Sequence, residues 1–177
     1  LEFRRVLSRS YQGWYNRGAA RCRLQHFGLA AADLTRALEL RPDHWRSLEQ
    51  RALTHVGRGH FEAGIADLDL AIELKPGRST LWRERGDLRA ALGDYRGCID
   101  DVSKAIQLNP LDARSLASRG AAYAELADLP GAQADFTKVL DLQPTNAQVA
   151  FLRGCTWLDQ GRLHRAQADF TRALENE

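Results

Sequence analysis

Methionine does not occur in these 177 residues, cysteine occurs three times and proline five, and no apolar run approaches the roughly 18 residues that a helix needs to span a bilayer. Each shortage removes a class of protein. Cys22, Cys98 and Cys155 are odd in number, stand at unrelated offsets and form no CxxC pair, so neither a disulfide framework nor a zinc site is suggested. They read as small buried thiols in a reducing, cytoplasmic compartment. His26, His44, His55, His60 and His164 never fall at metal-ligand spacing with a carboxylate or thiol set. Neither GxxxxGK[ST] nor GxGxxG is present, so no phosphate cradle is encoded. No nucleophile stands with a base, and the expectation is a protein that is not an enzyme and uses no cofactor or metal. The first ten residues lack the apolar stretch of a signal peptide. With no methionine at position 1 or elsewhere, the sequence is expected to be an excerpt of a longer protein.

Net charge is also scarce, at +2, and it is unevenly placed. Residues 1–44 hold 8 Arg against 4 acids, a balance of +4, which leaves 17 basic against 19 acidic residues, or −2, downstream. RNA binding at the basic N-terminal end is a remote alternative, because a nucleic-acid surface calls for a dense Lys/Arg stripe with interleaved aromatics. The arginines here are largely accounted for by a repeat.

The few prolines carry that repeat. Pro42, Pro76, Pro110 and Pro144 are 34 residues apart, as are Gly86, Gly120 and Gly154, with Gly18 and Ala52 in the same slot upstream. A period of this size signals a stack of identical supersecondary units that bury surface only against neighbours. Counted from Tyr11 the units are 11–44, 45–78, 79–112, 113–146 and an incomplete 147–177 with no capping helix, while residues 1–10 read as an amphipathic arm or the tail of a preceding helix. Within each unit two helix-period segments of 12 to 14 residues flank a breaker: Gly59, Gly93 or Gly161 in three units and Asp128-Leu129-Pro130 in the fourth. Small residues recur at the eighth slot and at the twentieth (Ala30, Gly64, Cys98, Ala132, Ala166) and twenty-seventh (Ala37, Ala71, Ala105, Val139, Ala173), which lets facing helices approach closely. Large residues at the fourth slot (Trp14, Leu48, Trp82, Leu116) and the twenty-fourth (Leu34, Leu68, Val102, Phe136, Phe170) are expected to fill the space between.

These slots, read as Trp14, Gly18, Phe27, Ala30, Leu34, Ala37 and Pro42 and again as Trp82, Gly86, Tyr95, Cys98, Val102, Ala105 and Pro110, resemble the tetratricopeptide repeat. The resemblance implies an all-α fold, an α-solenoid of five stacked helix pairs in a right-handed superhelix, with the first helix of each pair lining a concave groove. It implies a protein-protein interaction scaffold holding a peptide or partner protein, and the alternative is a structural module that self-assembles, as a homodimer through its uncapped C-terminal repeat. Groove slots give Tyr15, Asn16 and Arg23; Arg46, Glu49 and Gln50; Arg83, Glu84 and Asp87; Arg114, Ala117, Ser118 and Ala121; and Phe151 and Leu152. The polar set would fix a segment of mixed charge, and the apolar set would accept an apolar anchor. Some members clamp the acidic tail of a chaperone with Lys and Asn at the fifth and ninth slots, Asn at the sixth of the next repeat, and Lys and Arg at the second and sixth of a third. This sequence offers Tyr15, Ala19, Gln50, Thr80 and Glu84 in the first frame and matches in none, so a chaperone C-terminal tail is not an expected partner.

One column departs from the family pattern. The seventh slot, commonly leucine, is Arg17, Arg51, Arg85, Arg119 and Arg153, and the twenty-third is Asp33, Asp67, Asp101, Asp135 and Asp169. Flanked by core slots and equal in number, they read as a ladder of partly buried ion pairs. Spacing alone leaves open whether each aspartate belongs to the same repeat or the one before. Asp69 and Asp100 read as solvent-facing residues.

Overall fold

The computed structural model describes residues 10–176; residues 1–9 of the expected N-terminal arm lie outside them. Ten helices form among the described residues: α1 (Tyr11–Arg23), α2 (Phe27–Leu40), α3 (Trp45–Val56), α4 (Phe61–Leu74), α5 (Ser79–Ala91), α6 (Tyr95–Leu108), α7 (Ala113–Glu125), α8 (Leu129–Leu142), α9 (Ala147–Asp159) and α10 (Leu163–Leu174). The fold class is an all-α helical-repeat solenoid. Odd-numbered helices occupy the first position of each 34-residue period and even-numbered helices the second.

Local chemistry sets the boundaries. α2, α4, α6 and α8 each stop two residues before a proline, and the residue in front of it (Arg41, Lys75, Asn109, Gln143) is extended with φ between −147 and −135°. The proline ring disfavours helical geometry in its predecessor, so the helix has nowhere to continue. The turn inside each period needs one left-handed residue. Gly59, Gly93 and Gly161 supply it at φ 75, 80 and 70°, whereas Gln25 and Ala127 hold the same slot at φ 59 and 58° with a side chain attached. The break in the fourth period is therefore Ala127, and Pro130 instead sits at the start of α8, where its missing N–H costs nothing.

The chain divides into two compact units, the first ending at Leu92 and the second beginning at Gly93, between the two helices of the expected 79–112 repeat. In the first unit α1 packs on α2, α2 on α3, α3 on α4 and α4 on α5, and α1 also touches α3. Its core gathers Leu38, Leu48, Ala52, Leu68, Ala71, Ile72, Leu81 and Leu88. In the second unit α6 packs on α7, α7 on α8, α8 on α9 and α9 on α10, and α7 touches α9. Its core joins Leu116, Phe136, Val139, Leu140, Val149 and Ala150.

Close approach is visible at the glycines. A Cβ placed on Gly18 would lie 2.8 Å from Leu34 Cγ, and one on Gly120 or Gly154 would lie 2.7 Å from the ring of Phe136 or Phe170. The eighth-slot glycine is thus the seat for the twenty-fourth-slot side chain of the paired helix. Leu48 and Leu116 are buried, but Trp14 and Trp82 are only half-buried. Trp82 keeps its ring at the edge, where Nε1 donates to the Pro76 carbonyl at 2.9 Å and Arg85 stacks over it.

Candidate protein-binding faces

The odd-numbered helices are held in place by guanidinium groups. Arg17, Arg51, Arg119 and Arg153 each donate from Nε and Nη2 to both oxygens of Asp33, Asp67, Asp135 and Asp169, at 2.6–2.8 Å, sixteen residues on in the paired helix. All five aspartates of the column, Asp101 included, are buried. The hydrogen bonds to Asp135 and Asp169 push the Arg119 and Arg153 pKa values further above their ordinary value, as charge-assisted bidentate pairs do.

The remaining nitrogen points backwards. Nη1 of Arg51 donates to Thr35 Oγ1 at 3.2 Å, that of Arg119 to Ser103 Oγ at 3.0 Å and that of Arg153 to Thr137 Oγ1 at 3.0 Å. Arg85 Nη1 meets Asp69 Oδ1 at 2.6 Å. Asp69 thus accepts from the following helix while its side chain stays 45% exposed, and Asp100 is exposed. The acceptors Thr35, Asp69, Ser103 and Thr137 share the twenty-fifth slot with Thr171, in phase with the aspartates and two residues beyond them.

The second slot of every repeat is exposed, while the fifth, sixth and ninth slots range from exposed (Asn16, Leu53, Phe151) to buried (Arg83). On the first unit these lie on α1, α3 and α5. Arg46 and Arg78 stack on the ring of Trp45, and Tyr11 and Tyr15 meet the His44 ring edge-on at 4.9 and 5.1 Å. Asn16 accepts from Gln12 at 3.0 Å, Arg23 is exposed, and Gln50 contributes its carbonyl to the Thr54 hydroxyl at 2.8 Å. Arg83 is buried, with Nη1 3.2 Å from Asp87 and Nη2 3.8 Å from Glu84. Half-buried Glu49 has its pKa raised, because burial outweighs the downward pull of Arg78, Arg46 and Arg83. The structure thus gathers Arg46, Glu49, Arg83, Glu84 and Asp87 on neighbouring α3 and α5.

On the second unit the face lies on α7 and α9. Arg114 is exposed, Ser118 half-buried, and Ala117, Ala121 and Leu152 pack against the core from outside. Phe151 is 53% exposed, with its ring 5.6 Å from that of Phe170. Burial raises the Cys155 thiol pKa, the opposite of an activated nucleophile. Among the described residues no three His, Cys, Asp or Glu side chains converge to hold a metal, and no helix is long and apolar enough to cross a membrane.

Residues 15–79 match the tetratricopeptide repeat family. No curated protein matches the chain in sequence. Among solved structures, MamA 41-end from Desulfovibrio magneticus RS-1 superposes with a TM-score of 0.89 at 17% identity, covering 94% of each chain. YrrB, described as a TPR protein with an unusual peptide-binding site, gives 0.81 at 16% identity over 96% of this chain and 87% of its own. PilF of Pseudomonas aeruginosa gives 0.84 at 15% identity over 94% and 76%. Identities this low establish a shared fold.

Proposed function

Since the chain is a tetratricopeptide-repeat protein, we propose that it is a non-enzymatic interaction scaffold whose odd-numbered helices hold an extended peptide or a segment of a partner protein. The observation that carries this reading is the pair Arg83 and Glu49, one buried and one half-buried, beside exposed Arg46 and half-buried Gln50, Glu84 and Asp87. Charges on a merely solvated face stay in water. Here the charges are fixed by Asp87 and by neighbouring arginines, so a ligand would meet oriented groups whose ordering cost has already been met in folding. The occupant of the first unit is a segment of mixed charge, and that of the second an apolar side chain seated by Phe151, Leu152, Ala117 and Ala121. The peptide site named for YrrB is consistent with this use of the fold.

The test is selection of peptides from a random display library followed by calorimetric titration. For peptides held by the first unit, Arg83→Gln should weaken binding about tenfold or more, roughly 1.4 kcal/mol, and Phe151→Asp should do the same for those held by the second. Leu70→Asp, on the exposed side of α4, should change neither. Peptides that respond only to Leu70→Asp would place recognition on the even-numbered helices instead.

A further inference from the structure

We infer that the segment held by the first unit carries an acidic and a basic side chain about three or four residues apart, the acid lying against Arg46 and Arg78 and the base against Asp87. The inference rests on the peptide-scaffold reading and adds the charge register of the occupant.

The observation is a charge arrangement that the repeat does not call for. Arg46 is the second residue of α3, and Arg78 immediately precedes α5, so both lie inside the first unit. Both are exposed, and both stack on the ring of Trp45, at 5.1 and 4.8 Å from its centroid. Among the described residues neither has a carboxylate at ion-pair distance, whereas Arg83 on the same face is held by Asp87. Two like charges gathered on one ring repel each other. Each also stands at the N-terminal end of a helix, where the dipole disfavours a cation. In the second unit the slot of Arg78 is filled by Asp112 before α7 and Asn146 before α9, and each accepts from a backbone N–H of its helix, at 3.3 and 3.0 Å. Arg78 makes no side-chain cap bond. Folding therefore gains less from Arg78 than from the residue types in its slot elsewhere. An acidic group bound at the two arginines would offset both the repulsion and the misplaced end charge.

The negative pole lies farther along α5. Asp87 accepts from Arg83 at 3.2 Å while its side chain stays 40% exposed, so it retains acceptor capacity for a ligand cation. Asp87 is nine residues after Arg78, which at 1.5 Å per helical residue sets the poles about 13 Å apart. An extended chain covers that distance in about three or four residues at roughly 3.3 Å each. Arg46, Arg78 and Arg83 are balanced in number by Glu49, Glu84 and Asp87, so the face draws in neither a polyanion nor a polycation as a whole. It selects by where opposite charges stand along the ligand.

The test is selection from the random display library on the full chain and on Arg78→Asp, keeping the peptides whose binding Arg83→Gln weakens, with circular dichroism to show that each variant is folded. Pairs of Asp or Glu with Lys or Arg at the stated spacing should be enriched on the wild type and not on Arg78→Asp. A synthetic peptide carrying the enriched pair should bind Arg78→Asp and Asp87→Asn about tenfold more weakly in calorimetric titration. Arg78→Asp supplies the missing cap, so it should melt no lower than the wild type, and its loss of binding is then separate from any loss of fold. Enrichment of one charge alone, of pairs at other spacings, or of the same pairs on Arg78→Asp overturns the register and leaves the scaffold reading standing. A library from which the first unit enriches no sequence at all overturns the peptide-scaffold reading beneath it.

Discussion

Arg153 donates from Nη1 to the Thr137 hydroxyl of the preceding helix pair at 3.0 Å, while Nε and Nη2 of the same guanidinium hold Asp169 at 2.8 and 2.7 Å. One planar group therefore closes its own pair and ties it to the one before. Three directed donors are what this geometry consumes, and lysine, a point charge on a flexible stem, cannot match it.

Arg119 should be indispensable for this reason. Arg119→Ala leaves Asp135, whose side chain is only 3% exposed, buried without its counter-charge, a loss of about 3 to 5 kcal/mol. Arg119→Lys should fall between, keeping charge but not the simultaneous reach to Asp135 and Ser103. Arg96→Ala, at an exposed position of α6, should stay within about 0.5 kcal/mol of the wild type. Urea denaturation followed at the helical band compares the three, and coincident midpoints for Arg119→Ala and Arg96→Ala would remove the ladder from the account of stability.

The sequence makes the period, the helix pairs and the Arg and Asp columns legible, because each rests on one residue type repeated in phase. It hides the backward bond of each arginine, since the accepting slot is Thr, Asp, Ser, Thr and Thr and only its shared oxygen chemistry unites it. It also hides the left-handed turns at Gln25 and Ala127, where no glycine announces them. Trp82 misleads through size: its bulk suggests a core residue, yet its indole N–H keeps it at the edge on the Pro76 carbonyl. For the binding faces, the sequence names the exposed slots but not that Arg83 is buried, which follows from its neighbours on α3 and α5.

The turns yield opposite predictions at two small residues. Ala127 at φ 58° bears the left-handed penalty of about 1 to 2 kcal/mol, so Ala127→Gly should recover part of it, about 0.5 to 1 kcal/mol after the extra flexibility of the unfolded chain is counted. Gly120→Ala should cost about 1 to 3 kcal/mol, because its Cβ would sit 2.7 Å from the buried Phe136 ring. Melting temperatures that move in the same direction for both would contradict the geometry of either site.

Helix caps provide a third prediction. Asp94 and Asp128 accept from the backbone N–H of Gly97 and Gly131 at 2.9 and 3.1 Å, whereas His26 at the same slot, before α2, makes no side-chain cap bond. His26→Asp should stabilise the protein by about 1 kcal/mol, and Asp128→Ala should cost a similar amount. Thermal melts of the two variants check this; no gain from His26→Asp would mean that the entry into α2 differs from those into α6 and α8.

The pH dependence at Glu49 has a definite sign. Burial raises its pKa above the ordinary 4.5, against the opposing pull of Arg78, Arg46 and Arg83. In the window from that value up to the raised one, the folded chain binds more protons than the unfolded chain, so stability falls as pH rises through it. Glu49→Gln removes the titration and mimics the protonated form. The variant should therefore match the wild type near pH 4 and melt higher at pH 7, in the direction set by relief of the buried charge. Melting curves for both proteins at the two pH values decide it: a variant less stable than the wild type at pH 7 would mean that the three arginines outweigh burial and that Glu49 is a salt-bridge partner of the α3 and α5 face.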